Sequence, residues 1–284
     1  MSTVDPPRYS PAWLELREPA DAAARAAALI APLRQLLPTG PLRIGDLGCG
    51  TGSMARWLAG RLPGPQHWLL IDQDPELLTH AVSHLPDQAA DGSRVTGEAR
   101  RYDLTELPAD ALAGLQLVTA SALLDLLTGA ELSHLAAVIT AAGCPALLTL
   151  SVTGQVRFTP ADPLDPSLAA AFNDHQRRRV GERRLLGPAA PTAAAATFAD
   201  LGATVRVQES PWRLGPDQPA LIDQWLRGWV AAACEQRPEL SAPAEEYLAR
   251  RLAAGHAGTL WVEIGHHDLL VTSRPGEPSP AATT

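Results

Sequence analysis

The strongest constraint in this chain is an eight-residue turn, Gly45-Asp46-Leu47-Gly48-Cys49-Gly50-Thr51-Gly52, set between a short apolar strand and an amphipathic helix. The strand reads Pro41-Leu42-Arg43-Ile44, and the helix Ser53-Met54-Ala55-Arg56-Trp57-Leu58-Ala59 repeats its apolar residues at helical spacing. Glycines at alternate positions let the backbone turn sharply and bring bare amides close to a bound molecule. In an open α/β sheet the first strand-to-helix turn lies at the carboxyl edge of the strands, where ligands bind. The turn therefore predicts an α/β fold with a nucleoside ligand at this point.

Spacing narrows the ligand. A dinucleotide fingerprint needs a third glycine where this chain has Ser53. Asp46 stands two places before Gly48, and a carboxylate there repels a diphosphate at the helix N-terminus while suiting a cationic amino-acid group. At these residues the sequence resembles the class I S-adenosylmethionine-dependent methyltransferases. Their first motif, Asp/Glu-x-Gly-x-Gly-x-Gly, is matched by Asp46, Gly48, Gly50 and Gly52, with Cys49 inside the turn.

The resemblance runs from about Leu42 to Val152. A second strand, His67 to Ile71, ends in Asp72 followed by Gln73, which the resemblance implies as the ribose-binding position. Tyr102-Asp103-Leu104 resembles the family's third segment, implying that Asp103 meets the adenine amino group and Leu104 packs on the ring. The fourth strand runs into Ala120-Ser121-Ala122-Leu123-Leu124-Asp125, the segment that in the family passes beneath the methionine end, so Ser121 joins the expected site. Taken singly, a strand-end aspartate is often a helix cap, and Asp74-Pro75-Glu76 reads as one, which leaves Asp72 for the ribose. The resemblance implies S-adenosylmethionine as cofactor, S-adenosylhomocysteine as product, and a Rossmann-like, doubly wound, mostly parallel seven-stranded sheet with helical N-terminal and lid elaborations.

Composition bounds the partners. The 284 residues are 46% hydrophobic and 19% charged, enough for one large elaborated domain. A net charge of −8 argues against a broad basic face for nucleic acid. No basic segment followed by an apolar stretch opens the sequence and no apolar run reaches membrane-spanning length, so the expectation is a cytoplasmic protein without a membrane partner. Cys49, Cys144 and Cys234 lack metal or redox spacing and read as reduced thiols.

The expected organisation is an N-terminal helical cap over 1–40, a cofactor-binding core over 41–152, a lid insertion over 153–190, the rest of the sheet with inserted helices over 191–273, and a disordered tail over 274–284. A helix from about Pro11 to Leu37 places Trp13, Arg17 and Asp21 on one face, with Tyr9 just before it. The resemblance implies closure of this helix over the cofactor, with Arg17 on the methionine carboxylate or on an acidic substrate; Tyr9 and Trp13 are expected substrate contacts. The plainer alternative packs Trp13 on the core and pairs Arg17 with Asp21 at the surface.

The lid begins with Arg157-Phe158 and continues into a helix near 167–176, where Phe172 and Gln176 offer an aromatic wall beside a polar group. Arg157, Phe172 and Gln176 are expected substrate contacts. His175 is the first candidate general base because imidazole titrates near neutrality; Asp125 is the second, with helix capping as its alternative role. The run Arg177 to Arg184 either attracts an anion or is a solvated helix end. A stripe of Leu221, Trp225 and Trp229 predicts packing on the sheet or on a second copy, leaving a homodimer open. His266, His267 and Asp268 are not read as a metal site, because adjacent strand residues point to opposite faces.

The activity so implied is direct methyl displacement onto a small-molecule acceptor. The alternatives are an RNA or protein methyltransferase and a non-methylating S-adenosylmethionine-binding protein.

Overall fold

The computed structural model describes residues 10–272. Its strands are β1 (Leu42–Leu47), β2 (Gln66–Asp72), β3 (Val95–Arg101), β4 (Leu117–Ser121), β5 (Ala146–Thr159), β6 (Arg179–Val180), β7 (Arg183–Arg184), β8 (Thr204–Glu209), β9 (Trp212–Leu214) and β10 (Trp261–Thr272). Its helices are α1 (Pro11–Ala24), α2 (Ile30–Leu36), α3 (Ser53–Ala59), α4 (Pro75–Ser83), α5 (Gly129–Ala142), α6 (Asp165–Gln176), α7 (Ala190–Asp200), α8 (Pro219–Gln236) and α9 (Ser241–His256).

The main sheet runs in the order β3-β2-β1-β4-β5-β10-β8. Strands β1 to β5 pair in parallel, and β10 lies antiparallel between β5 and β8. This is the doubly wound arrangement, with the order reversing at β1 and β4. The short β9 pairs with the start of β10, so the sheet has eight strands where seven were expected. Side chains of β1, β2 and β4 are buried on both faces, as helix-covered parallel strands require: Ile44, Trp68 and Leu70 pack on one side, Leu47, Leu69 and Val118 on the other.

Three elements differ from their sequence reading. The N-terminal helix is broken, because Arg25 leaves helical geometry and the Ala26 N–H donates to Asp268 Oδ2 at 2.8 Å, overriding the helix preference of an alanine-rich stretch. Strand β5 continues through Arg157 and Phe158 to Thr159 instead of ending near Val152. Strand β10 starts at Trp261, and its first residues pair with that extension.

The extension supports a third core cluster, in which Phe158 meets Trp229 of α8 at 5.4 Å and Tyr247 of α9 at 6.5 Å between ring centroids. The stripe of Leu221, Trp225 and Trp229 thus packs against β5, α6 and α9. Among the described residues, no helix is long and apolar enough to cross a membrane.

Candidate active site

The glycine turn leaves β1 and enters α3 through Gly48 (φ +63°), Gly50 (φ +53°) and Gly52 (φ +85°). A Cβ on Gly52 would lie 3.2 Å from Ala81 Cα, so backbone on α4 closes off any side chain there. The turn is tied to β2: the Cys49 N–H donates to Ile71 O at 3.0 Å and the Gly50 N–H to Asp72 Oδ2 at 2.9 Å. Asp72 Oδ1 accepts from the Asp74 N–H at 3.0 Å, and each carboxylate oxygen keeps a further lone pair for a ligand hydroxyl. Asp74 caps α4 as expected, accepting from the Glu76 N–H at 2.8 Å.

Asp46 is buried beneath this turn. Its Oδ1 accepts from the Thr119 hydroxyl at 2.7 Å, and its Oδ2 has no hydrogen-bond partner. Burial pushes the carboxyl up to about 7, against the opposing pull of the Thr119 hydroxyl and Arg25. A cation entering the cavity would repair this deficit, so the donor set fits the ammonium end of an amino-acid cofactor.

Arg25, also buried, donates to Ser53 Oγ at 3.0 Å and Ser121 Oγ at 3.2 Å. Burial lowers its pKa while Asp21, Asp46 and Asp268 oppose that shift. The Cys49 thiol is pushed well up, first by burial and then by Asp46 and Asp72, so it stays protonated. Asp103 accepts from the Thr105 N–H at 2.9 Å and hydroxyl at 2.7 Å, which orients the exposed carboxylate beside Leu104.

A single cavity of about 1260 Å³ connects these groups to a second region. Its wall holds Asp46, Gly48, Cys49, Gly50, Asp72 and Gln73, with Asp103, Leu104 and Ser121 alongside. Gly52 lies outside the wall and serves as the left-handed entry to α3. Also in the cavity's lining are Trp13, Arg17, Asp125, Phe172 and Gln176, together with Trp212, Trp225 and His266. Arg17 pairs with Asp21 at 2.9 Å, and Asp21 also accepts from Trp212 Nε1 at 2.9 Å. That pair is in the cavity wall, not at the surface: the two side chains are 14% and 6% exposed.

Asp125 is raised to about 6 by burial, with Arg17 opposing. It does not cap α5, since Thr128 and Glu131 form a capping box there. Ala122 (φ +52°) and Leu150 (φ +56°), at the ends of β4 and within β5, are strained non-glycine residues that both line the cavity.

Besides Gly52, two expected site residues are not brought here. His175 is absent from the cavity wall; its Nδ1 lies 4.0 Å from Glu235 Oε2 of α8, so α6 turns it away from any acceptor and the base assignment is withdrawn. Burial and Arg178 lower its pKa further. Arg157 stands on the β5 extension, 75% exposed, 3.6 Å from Glu263 Oε1, and is withdrawn as a substrate contact. Tyr9 and the 274–284 tail lie outside the described residues.

The basic run is largely paired: Arg183 holds Glu131 at 2.7 and 2.8 Å, Arg179 meets Glu182 at 3.2 Å and Arg177 meets Asp174 at 3.7 Å. Asp268 is a structural acceptor for the Ala26 and Leu150 N–H groups and the Ser210 hydroxyl. Among the described residues, no group of three or more His, Cys, Asp or Glu side chains is placed to hold a metal. Arg25, Trp212 and His266 were not assigned to the site from sequence. The alternation in Trp261-Val262-Glu263-Ile264 is the signal that could have carried β10 back to His266.

Fold and cavity together define a Rossmann-like α/β domain with a cleft at its first strand-to-helix turn. A methyltransferase-domain family model matches residues 44–143. Among curated proteins, the biotin biosynthesis bifunctional protein BioCD of Bordetella avium is 40% identical over 97 residues, 33% of this chain. The chain spans about a fifth of that relative, 19% of its length. Among solved structures, a cyclopropane-fatty-acyl-phospholipid synthase-like protein from Lactobacillus casei is 16% identical, with 94% of each chain covered and a TM-score of 0.50, a likeness of fold.

Proposed function

We propose that the protein transfers a methyl group from S-adenosylmethionine to a small-molecule acceptor enclosed in the cavity. The observation that carries this reading is the cavity itself. At about 1260 Å³ it exceeds the roughly 300–1,000 Å³ usual for one ligand, and its lining combines the glycine turn and its acids with Trp13, Phe172, Trp212 and Trp225. The turn and its acids suit the cofactor, and the aromatic residues an apolar acceptor.

Asp46 would hold the cofactor's ammonium, the amides of Gly48 to Gly52 its methionine end, Asp72 its ribose hydroxyls, and Asp103 with Leu104 its adenine. The cofactor supplies a methyl group on a sulfonium, an electrophile that needs no covalent enzyme intermediate. The protein's contribution is position: two molecules held in line gain about 7–11 kcal/mol of effective concentration. The aromatic walls exclude water, and Asp125, raised to about 6 by burial, lines the same cavity. A macromolecular acceptor is disfavoured by the net charge of −8 and by the pairing of the basic run.

The test is incubation with methyl-labelled S-adenosylmethionine and a cell extract split into metabolite, RNA and protein fractions. Label in the metabolite fraction, lost with Asp72→Ala, is expected. Label confined to RNA or protein would overturn the small-molecule reading, and no label despite cofactor binding would overturn methyl transfer.

A further inference from the structure

We propose that His266 takes the proton from the acceptor through Nε2, and that the acceptor is accordingly an O–H or N–H compound. This rests on the methyl-transfer reading above. His266 is 4% exposed yet belongs to the cavity wall. It is aimed there by an irregularity in the sheet. Ile264 pairs with Val156 and His266 with Val152, so a single residue of β10, Gly265, faces three of β5. Such bulges redirect side chains and recur beside active sites. Gly265 is required, because a Cβ there would collide with the Thr153 hydroxyl.

The ring's surroundings assign its two nitrogens. Nδ1 is fully enclosed and has no hydrogen-bond partner. Nε2 is left as the nitrogen that can meet a molecule in the cavity. With the proton on the enclosed Nδ1, Nε2 presents a lone pair to the cavity. The imidazole lies 5.6 Å from the Trp212 ring. Arg17 and Asp21 face it from α1, and His267 adjoins it on β10. Burial, then Arg17, push its pKa down to about 4, so the ring is neutral at physiological pH.

A base this weak takes a proton only as the acceptor gives up electron density. The acceptor's lone pair forms the bond to the methyl carbon, the methyl–sulfur pair returns to sulfur, and the acceptor's proton passes to Nε2. Asp21, which already carries the countercharge to Arg17, favours the imidazolium so formed, and the proton leaves to solvent with the product.

The experiment compares wild type, His266→Ala and His266→Asn. Affinity for S-adenosylmethionine by calorimetry should stay within about twofold, while label transfer into the metabolite fraction falls about 100-fold in both variants. Added imidazole should partly restore His266→Ala, which a purely structural role would not allow. Nitrogen-15 spectra of the wild type should show unprotonated Nε2 from pH 6 to 8. Transfer within threefold of wild type in either variant, or a protonated Nε2 in the wild type, would overturn the proposal. Failure of the wild type to bind S-adenosylmethionine would instead remove the methyl-transfer reading, and this inference with it.

Discussion

Gly52 and Asp46 show how single residues prepare the site. Gly52 combines φ +85° with an approach that leaves a Cβ 3.2 Å from Ala81 Cα, so Gly52→Ala meets both backbone strain and a neighbour that cannot rotate away. We expect it to lower unfolding free energy by about 1–3 kcal/mol in urea titrations; an unchanged midpoint would refute the packing argument. Asp46 acts in the opposite sense. Its folded pKa, about 7, lies above the unfolded value, so the native state retains a proton that the unfolded chain releases between about pH 4 and 7. Its contribution to stability falls as pH rises through that window. Asp46→Asn should therefore raise the melting temperature of the ligand-free protein at pH 8, by about 2–4 °C. A lower melting temperature would show that the carboxylate is adequately solvated.

At the scale of elements, one ion pair ties the lid's hairpin to the parallel-sheet side of the domain. The hairpin β6–β7 is held by Arg183, which reaches Glu131 at the start of α5 and Leu126 O at 3.0 Å. Hydrogen bonding to Arg183 lowers the pKa of Glu131 and that to Glu131 raises the pKa of Arg183, as a formed ion pair requires. Arg183→Ala should speed amide hydrogen exchange over residues 177–186 by roughly tenfold and leave β1 to β4 unchanged. Unchanged exchange in the hairpin would show that other contacts hold the lid.

The same region marks where sequence reading stopped. The turn and the cap beside it were legible because their requirements are local: alternate glycines, an acid at a strand end, a cap at Asp74. His175 failed because a residue's helix was visible but its facing was not, and that facing is set by α8, some sixty residues away. Arg157 failed because β5 extends only where β10 returns to pair with it. His266 was weighed only as a metal ligand, since the bulge that redirects it is a property of two paired strands.

Across the whole molecule, the parallel strands present the first turn at their carboxyl edges, and the β5–β10 extension with α6, α8 and α9 builds an aromatic wall. The strand order up to β5 could be expected from successive strand and turn patterns; the eighth strand and the third core cluster could not, because they arise from contacts between distant segments. Asp46, unpartnered at Oδ2, is proposed to receive the cationic end of S-adenosylmethionine. The most direct test is calorimetric titration of that cofactor at pH 6 and pH 8 into wild type and Asp46→Asn. With the free carboxyl near 7, wild-type affinity should be about tenfold weaker at pH 6 than at pH 8, and Asp46→Asn should bind weakly with that pH dependence removed. Equal affinities for the two proteins, or a wild-type affinity that does not change with pH, would contradict the account.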